Sequence, residues 1–238
     1  MRISSCIDAI KISEPQYDSF IVTWSFGGNS SLISLHGNNN PVTSSEHWIT
    51  DSSDTFSFDA DNELSYIGFS VPNKNHIITI KNHKTSFGKI VLSSERIYTI
   101  EPMTMRMFDP VNRKLLCFNQ KIFNNDALTF LKLHENVDVI ISAKGYCGYV
   151  INNPLNYFSN ETNGYIDFAK KPDDNEYILM SVFFEIMSDN NLEKNNNNIE
   201  GVVIELKNRI FPSLSLIRSE FRREIIKSSI QELLDFYC

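Results

Sequence analysis

The sequence predicts a mainly β protein, between all-β and α+β. The expected form is an antiparallel β-sandwich or meander with a kinked C-terminal α-helix, about residues 213–237, packed on it. Three observations predict it. From residue 55 onward, short β-type segments recur about every ten residues with turn chemistry between them. Phe20, Val22, Trp24 and Phe26 repeat at period two, the pattern of a half-buried strand. Sustained helical periodicity is read in one place, 212–237. The scarcity of alanine (five residues) beside plentiful Ile, Phe, Thr and Ser points the same way.

In chain order, 3–12 reads as an edge strand ended by Glu14-Pro15, and 20–26 with 32–35 as a hairpin turning through Gly27-Gly28-Asn29. Residues 36–54 form a long polar loop anchored by Trp48 and Ile49. Strands then follow at 55–58, 64–71, 76–81, 87–93, 96–100, 103–108 and 115–118. Residues 126–134 fit either a short helix capped by Asp126 or a strand lined by Thr129, Leu131 and Leu133. Strands at 137–142 and 146–151 flank Lys144-Gly145, and 152–163 is a second polar loop. Residues 165–168 and 177–187 read as strands, the latter apolar on both faces and so central in a sheet. A third loop, 189–199, carries the linker Asn195-Asn196-Asn197-Asn198, and 202–206 is the last strand. In the C-terminal helix Leu214, Ile217, Phe221 and Ile225 make one stripe and Ile226, Ile230, Leu233 and Tyr237 another. The jump between stripes, with a capping box at Ser229 and Glu232, places a kink near Ser228–Ser229. One domain spans 1–238: a β-rich scaffold over 1–211 and the helix over 212–238.

A chain of 238 residues is long enough to bury a core without staples. Its net charge of −7 and dispersed charges argue against a nucleic-acid surface, which needs a basic patch. The longest apolar run, 177–184, falls well short of the roughly 20 residues that span a bilayer, and the N-terminus has no signal-peptide core. No membrane partner is expected. Cys6, Cys117, Cys147 and Cys238 have no metal-site spacing, so reduced thiols and a cytoplasmic location are expected.

The residues that carry chemistry by type concentrate in the first polar loop. His36, Glu46, His47, Asp51 and Asp54 lie within it. Glu46, His47 and Asp51 are the catalytic candidates, a base with its orienting acids. His36, His47 and Asp51 are the metal-ligand candidates, although their spacing matches no defined site. Trp48, Tyr157 and Phe158, aromatics in polar loops, are the binding candidates. The run 59–63 departs from a calcium loop at Leu64 and Ser70 and reads as a turn. Cys147, bracketed by Gly145 and Gly148, reads as a buried thiol before a nucleophile. Arg218, Arg222, Arg223 and Lys227 read as a solvated helix face paired with Glu220 and Glu224. Met103, Met105 and Met107 read as core.

No phosphate loop, dinucleotide fingerprint or nucleophile elbow occurs, so no cofactor is expected. The expected function is non-enzymatic binding of a protein partner, with a basic partner matching the acidic charge. An immunity- or inhibitor-type protein of a bacterium or phage is one concrete form. The alternatives are a hydrolase or metal-dependent enzyme built on the 36–54 loop, and a structural subunit of a phage or other assembly. Oligomeric state is left open.

Overall fold

The computed structural model describes residues 1–15, 20–27, 30–44, 53–80, 83–94, 100–123, 127–159, 164–195 and 198–237. The strands are β1 (Ile7–Lys11), β2 (Phe20–Gly27), β3 (Ser30–Gly37), β4 (Thr43–Ser44), β5 (Thr55–Phe58), β6 (Leu64–Ser70), β7 (His83–Leu92), β8 (Met105–Asp109), β9 (Lys114–Phe118), β10 (Leu128–His134), β11 (Val137–Ser142), β12 (Gly145–Asn152) and β13 (Phe158–Ser159). The helices are α1 (Asp174–Ile186), α2 (Asp189–Lys194), α3 (Ile199–Ile210) and α4 (Glu220–Tyr237). Strand outweighs helix, 39% to 29%, so the fold is mainly β as the sequence predicts.

Two sheets pack together without closing into a barrel. One runs β1-β7-β10-β11-β12-β9-β8 and the other β13-β2-β3-β6-β5-β4. Chain neighbours such as β2 with β3, β5 with β6 and β11 with β12 pair antiparallel. The meander is not pure, because β7 pairs with β10 and β13 with β2 in parallel. Both parallel pairs join strands that are distant in the chain, a choice that local turn chemistry does not encode. The inward faces meet where Phe69 stacks on Tyr149 at 4.2 Å and Phe56 meets Tyr146 edge-on at 5.3 Å.

Helix replaces strand in two places. Residues 177–187 were expected in a sheet centre, but 174–186 is the buried helix α1. An apolar run suits either element, and here the Asp173 cap on the Glu176 N–H starts a helix. The expected strand 202–206 lies inside α3, whose Val202, Leu206 and Ile210 recur every four residues on the buried side. Part of the expected 189–199 loop is α2, with Ser188 capping it and Asn198 capping α3. The C-terminal helix is present, but its break falls at the extended Ile217 and not at Ser228–Ser229. A 3-10 turn, Phe211–Leu216, precedes the break, and the Ser219 hydroxyl accepts the Arg222 N–H to start α4. Of the shorter expectations, 126–134 resolves as β10, and 165–168 makes only an isolated bridge from Ile166 to Ser159. Residues 76–80 run outside the strands; Ile78 and Ile80 lie on the outward face of the seven-stranded sheet. Most of 96–100 lies outside the described residues.

Among the described residues the two sheets are unequally covered. The seven-stranded sheet is apolar on both faces: its outward residues, including Leu116, Phe130, Ile140 and Val150, are packed by Ile78, Ile80, Ile122 and Phe123. Beside β2 and the edge strand β8, α1 wedges against both sheets, with Phe184 stacked on Trp24 and tilted on Phe108. No helix among the described residues is long and apolar enough to cross a membrane.

Candidate functional site

Among the described residues, the outward face of β2, β3, β6 and β5 carries no such apolar cover. Strand alternation puts Val22, Trp24, Ile33, Leu35, Ile67, Phe69 and Phe56 inward. Their neighbours therefore form the opposite face in three cross-strand rows. Ile21 faces His36, which faces Tyr66, which faces Ser57. Thr23, Ser34, Gly68 and Thr55 make the next row, and Ser25, Leu32 and Ser70 the third. None of these positions holds Asp, Glu, Lys or Arg, in a chain whose charged content is 21%. Ile21 is 64% exposed and Leu32 41%.

The face is ordered by its own contacts. Gly68 gives the Tyr66 ring room, since a Cβ there would lie 2.8 Å from the Tyr66 hydroxyl. Laid over Gly68, that hydroxyl reaches Ser34 Oγ at 3.2 Å, and the His36 ring sits 5.2 Å from the Tyr66 ring. Ser57 Oγ and Ser44 Oγ share a hydrogen bond at 2.9 Å. Partial burial lowers the His36 pKa.

Beneath one end of this face lies a buried polar cluster. Asp54, immediately before β5, is 1% exposed. Its Oδ1 accepts the Ser70 N–H at 2.8 Å and its Oδ2 accepts the Tyr146 hydroxyl from the other sheet at 2.5 Å. Tyr149 Oη donates to the Ser70 carbonyl at 2.9 Å. Burial raises the Asp54 pKa to about 7 against the pull of both hydrogen bonds, and no ion pair joins it to a described cation. Burial also pushes the Cys117 thiol up to about 12 and holds the Tyr146 and Tyr149 phenols well above their usual range.

Of the candidates named from sequence, Glu46, His47, Trp48 and Asp51 lie outside the described residues. His36 is on the outward face of β3. Tyr157 and Phe158, expected on a loop surface, are 8% and 1% exposed and belong to the core. Phe158 packs edge-on to Trp24 because Phe158–Ser159 adds a strand beside β2, while Tyr157 accepts from Asn136 Nδ2. Cys147 is buried, with burial raising its thiol to about 11. Asp59 closes a turn by accepting the Asp61 and Glu63 N–H groups. Arg222 is not solvated: Nε and Nη2 clamp Glu176 of α1 at 2.8 and 3.1 Å, both side chains 3% exposed. Among the described residues no three His, Cys, Asp or Glu side chains are grouped to hold a metal.

Sequence reasoning missed Arg106, which is 3% exposed. Its guanidinium donates to Asn75 Oδ1 and Asn73 Oδ1 and to the Phe184 and Met187 carbonyls at the end of α1. It lies 4.4 Å from the Phe184 ring centroid, and burial lowers its pKa to about 10. These contacts make it a fastener between β8 and α1, beside a cleft of about 380 Å³ lined also by Lys194 and Glu185. Its alternation with Met105 and Met107, which read as core, puts Arg106 on the opposite face of β8, so nothing local marks it as buried.

Compared with known families and curated proteins, the sequence matches no family model and no curated protein.

Proposed function

We propose that this chain is a non-enzymatic, cytoplasmic protein-binding protein that seats a partner on the outward face of β2, β3, β6 and β5. The observation that carries this reading is the charge-free face itself, with Ile21 and Leu32 exposed on it. Interface centres are depleted in charge and enriched in aromatic residues, and this face offers Tyr66 between Ile21, Leu32, serines and threonines. Four strands about 4.8 Å apart and five residues at about 3.3 Å give a patch of roughly 300 Å². That is the size of an interface centre, and the exposed Asn38, Asn39 and Asn40 beside β3 supply polar rim. The net charge of −7 favours a partner with a basic periphery, drawn in by long-range attraction. An immunity- or inhibitor-type protein is one instance of such a binder. The buried thiols of Cys117 and Cys147 fit a reducing compartment.

The test compares capture from the native host by the wild-type chain and by Ile21→Lys/Leu32→Lys. The reading expects a stoichiometric partner that the double variant loses at least tenfold, with the thermal unfolding midpoint unchanged. Equal capture by both proteins would overturn it. Sedimentation velocity on the purified chain covers the other occupant: a dimer that the same double variant dissociates would replace this reading with that of a subunit in an assembly.

A further inference from the structure

The cleft beside Arg106 lies where the seven-stranded sheet ends. β8 is the last strand of that sheet. Among the described residues, only Arg106 is paired on its outer side, by the Lys74 carbonyl and the His76 N–H. Past that pair Met107 and Phe108 line the cleft from β8, with Ile77 beside them, and Lys194 of α2 lines it from the helices. Its volume of about 380 Å³ falls at the lower end of the range for small-ligand pockets, roughly 300–1,000 Å³.

Arg106, itself part of the lining, gives the cleft a preference for anions. A guanidinium has five N–H groups. Four meet acceptors here: Asn75 Oδ1, Asn73 Oδ1 and the Phe184 and Met187 carbonyls. The fifth, on Nη1, has no acceptor among the described residues, and the other Nη1 bond is long at 3.3 Å. All four acceptors are neutral. Asp189 acts on the cation through space without an ion pair among the described residues. The charge is therefore buried with no bonded counter-ion, an arrangement that retains much of its desolvation cost. Lys194, exposed at the end of α2, also has no ion-pair partner among the described residues. Glu185 lines the cleft too, but its side chain is 71% exposed and 3.9 Å from Arg209, so solvent and Arg209 screen it.

We infer that this cleft binds a small organic carboxylate with an apolar body. The carboxylate takes the open Nη1 N–H of Arg106 and the Lys194 ammonium, which supplies the counter-charge that the fold leaves out. The body covers Met107, Phe108 and Ile77, the last of which is 91% exposed. Inorganic phosphate suits the cleft less well. It carries more charge than one N–H and one exposed ammonium can match, and it has no apolar part for the rest of the wall. The site uses β8, α1 and α2 and no residue of the docking face, so it stands independently of that reading.

Calorimetric titration of the full chain with butyrate, benzoate and 3-phenylpropionate tests the inference, with 3-phenylpropanamide and inorganic phosphate as controls. At least one of the acids is expected to bind at a single site, about tenfold or more tighter than either control. On saturation the Arg106 Nε–H resonance should shift. Lys194→Gln should weaken the acid by about tenfold or more, with the thermal midpoint of the ligand-free protein unchanged. Lys207→Gln, an exposed change on α3 outside the cleft, should leave the affinity as it is. No saturable binding of any of the acids up to about 10 mM would overturn the inference. So would a control that binds as tightly, an unmoved Arg106 resonance, or undiminished affinity in Lys194→Gln. Ile21→Lys/Leu32→Lys should titrate like the wild type, so this inference and the docking face fail separately.

Discussion

At the scale of single residues, the buried cation is the most consequential feature that the sequence conceals. Arg106 spends its guanidinium on two asparagine side chains and two carbonyls at the end of α1, with no carboxylate bonded to it among the described residues. A cation at a helix C-terminus meets the negative end of the dipole, which offsets part of the burial cost. Arg106→Met keeps the apolar bulk but strands those acceptors, so it is expected to destabilise the fold by about 2–4 kcal/mol. Arg106→Lys should not restore the loss, since an ammonium cannot present the planar fork. Urea unfolding of the three proteins checks both statements. Nothing in the local sequence MTMRMFD separates this arginine from a solvent-facing one, and its alternation with methionines that read as core points the other way.

At the scale of elements, the helices are joined by a polar connection. Glu176 in the first turn of α1 is clamped by Arg222 in the first turn of α4, and the Arg218 N–H also reaches Glu176. Ser219, which starts α4, donates to Asp167 of the preceding segment. Glu176→Gln leaves Arg222 buried without a counter-charge and is expected to cost about 3–5 kcal/mol. The double variant Glu176→Met/Arg222→Leu should cost clearly less than the two single changes added together, because it removes both charges. A double-mutant cycle of unfolding midpoints reads the difference, and additive costs would contradict the pairing. The same connection explains why the C-terminal helix starts where it does. Ser219 accepts the Arg222 N–H at the helix start, whereas Ser229 sits buried inside a continuous helix.

At the scale of the whole molecule, stability should depend on pH in two separate windows. Asp54, with a folded-state pKa raised to about 7 by burial, binds a proton in the folded state that the unfolded chain has lost above about pH 4. Stability therefore falls as pH rises from about 4 to 7, by up to about 4 kcal/mol if no rearrangement relieves the carboxylate. Asp59 and Asp167 have lowered pKa values, from the Asn39 and Ser219 hydrogen bonds first of all, so what they contribute is lost only in acid below the ordinary carboxylate range. An optimum on the acid side of neutrality is expected in urea unfolding across pH, and Asp54→Asn should flatten the fall toward pH 7. A wild-type optimum at pH 8 would contradict it.

Much of the β framework was legible from residues alone. Period-two alternation marked β2, and turn residues marked the hairpins that bring in β3 and β6, because strand burial and turn geometry are local demands on side chains. Asp54 was visible as one of several acids in a polar loop, but not as the buried one. The remainder was not local. An apolar run such as 177–187 satisfies a central strand and a buried helix alike, and the choice was made by packing of Phe183 and Phe184 against Phe26 and Trp24. Which strands pair in parallel, which face of each sheet is covered, and which arginine is buried are set by contacts between segments far apart in the chain. The sequence by itself determined a β-rich scaffold with an amphipathic C-terminal helix, since period and turn chemistry act over a few residues. Only the tertiary structure decided that Tyr157 and Phe158 are core, that the outward rows of β2, β3, β6 and β5 hold no charged residue, and that Asp54 is buried beneath one end of them, because burial depends on the neighbours that the completed fold brings together.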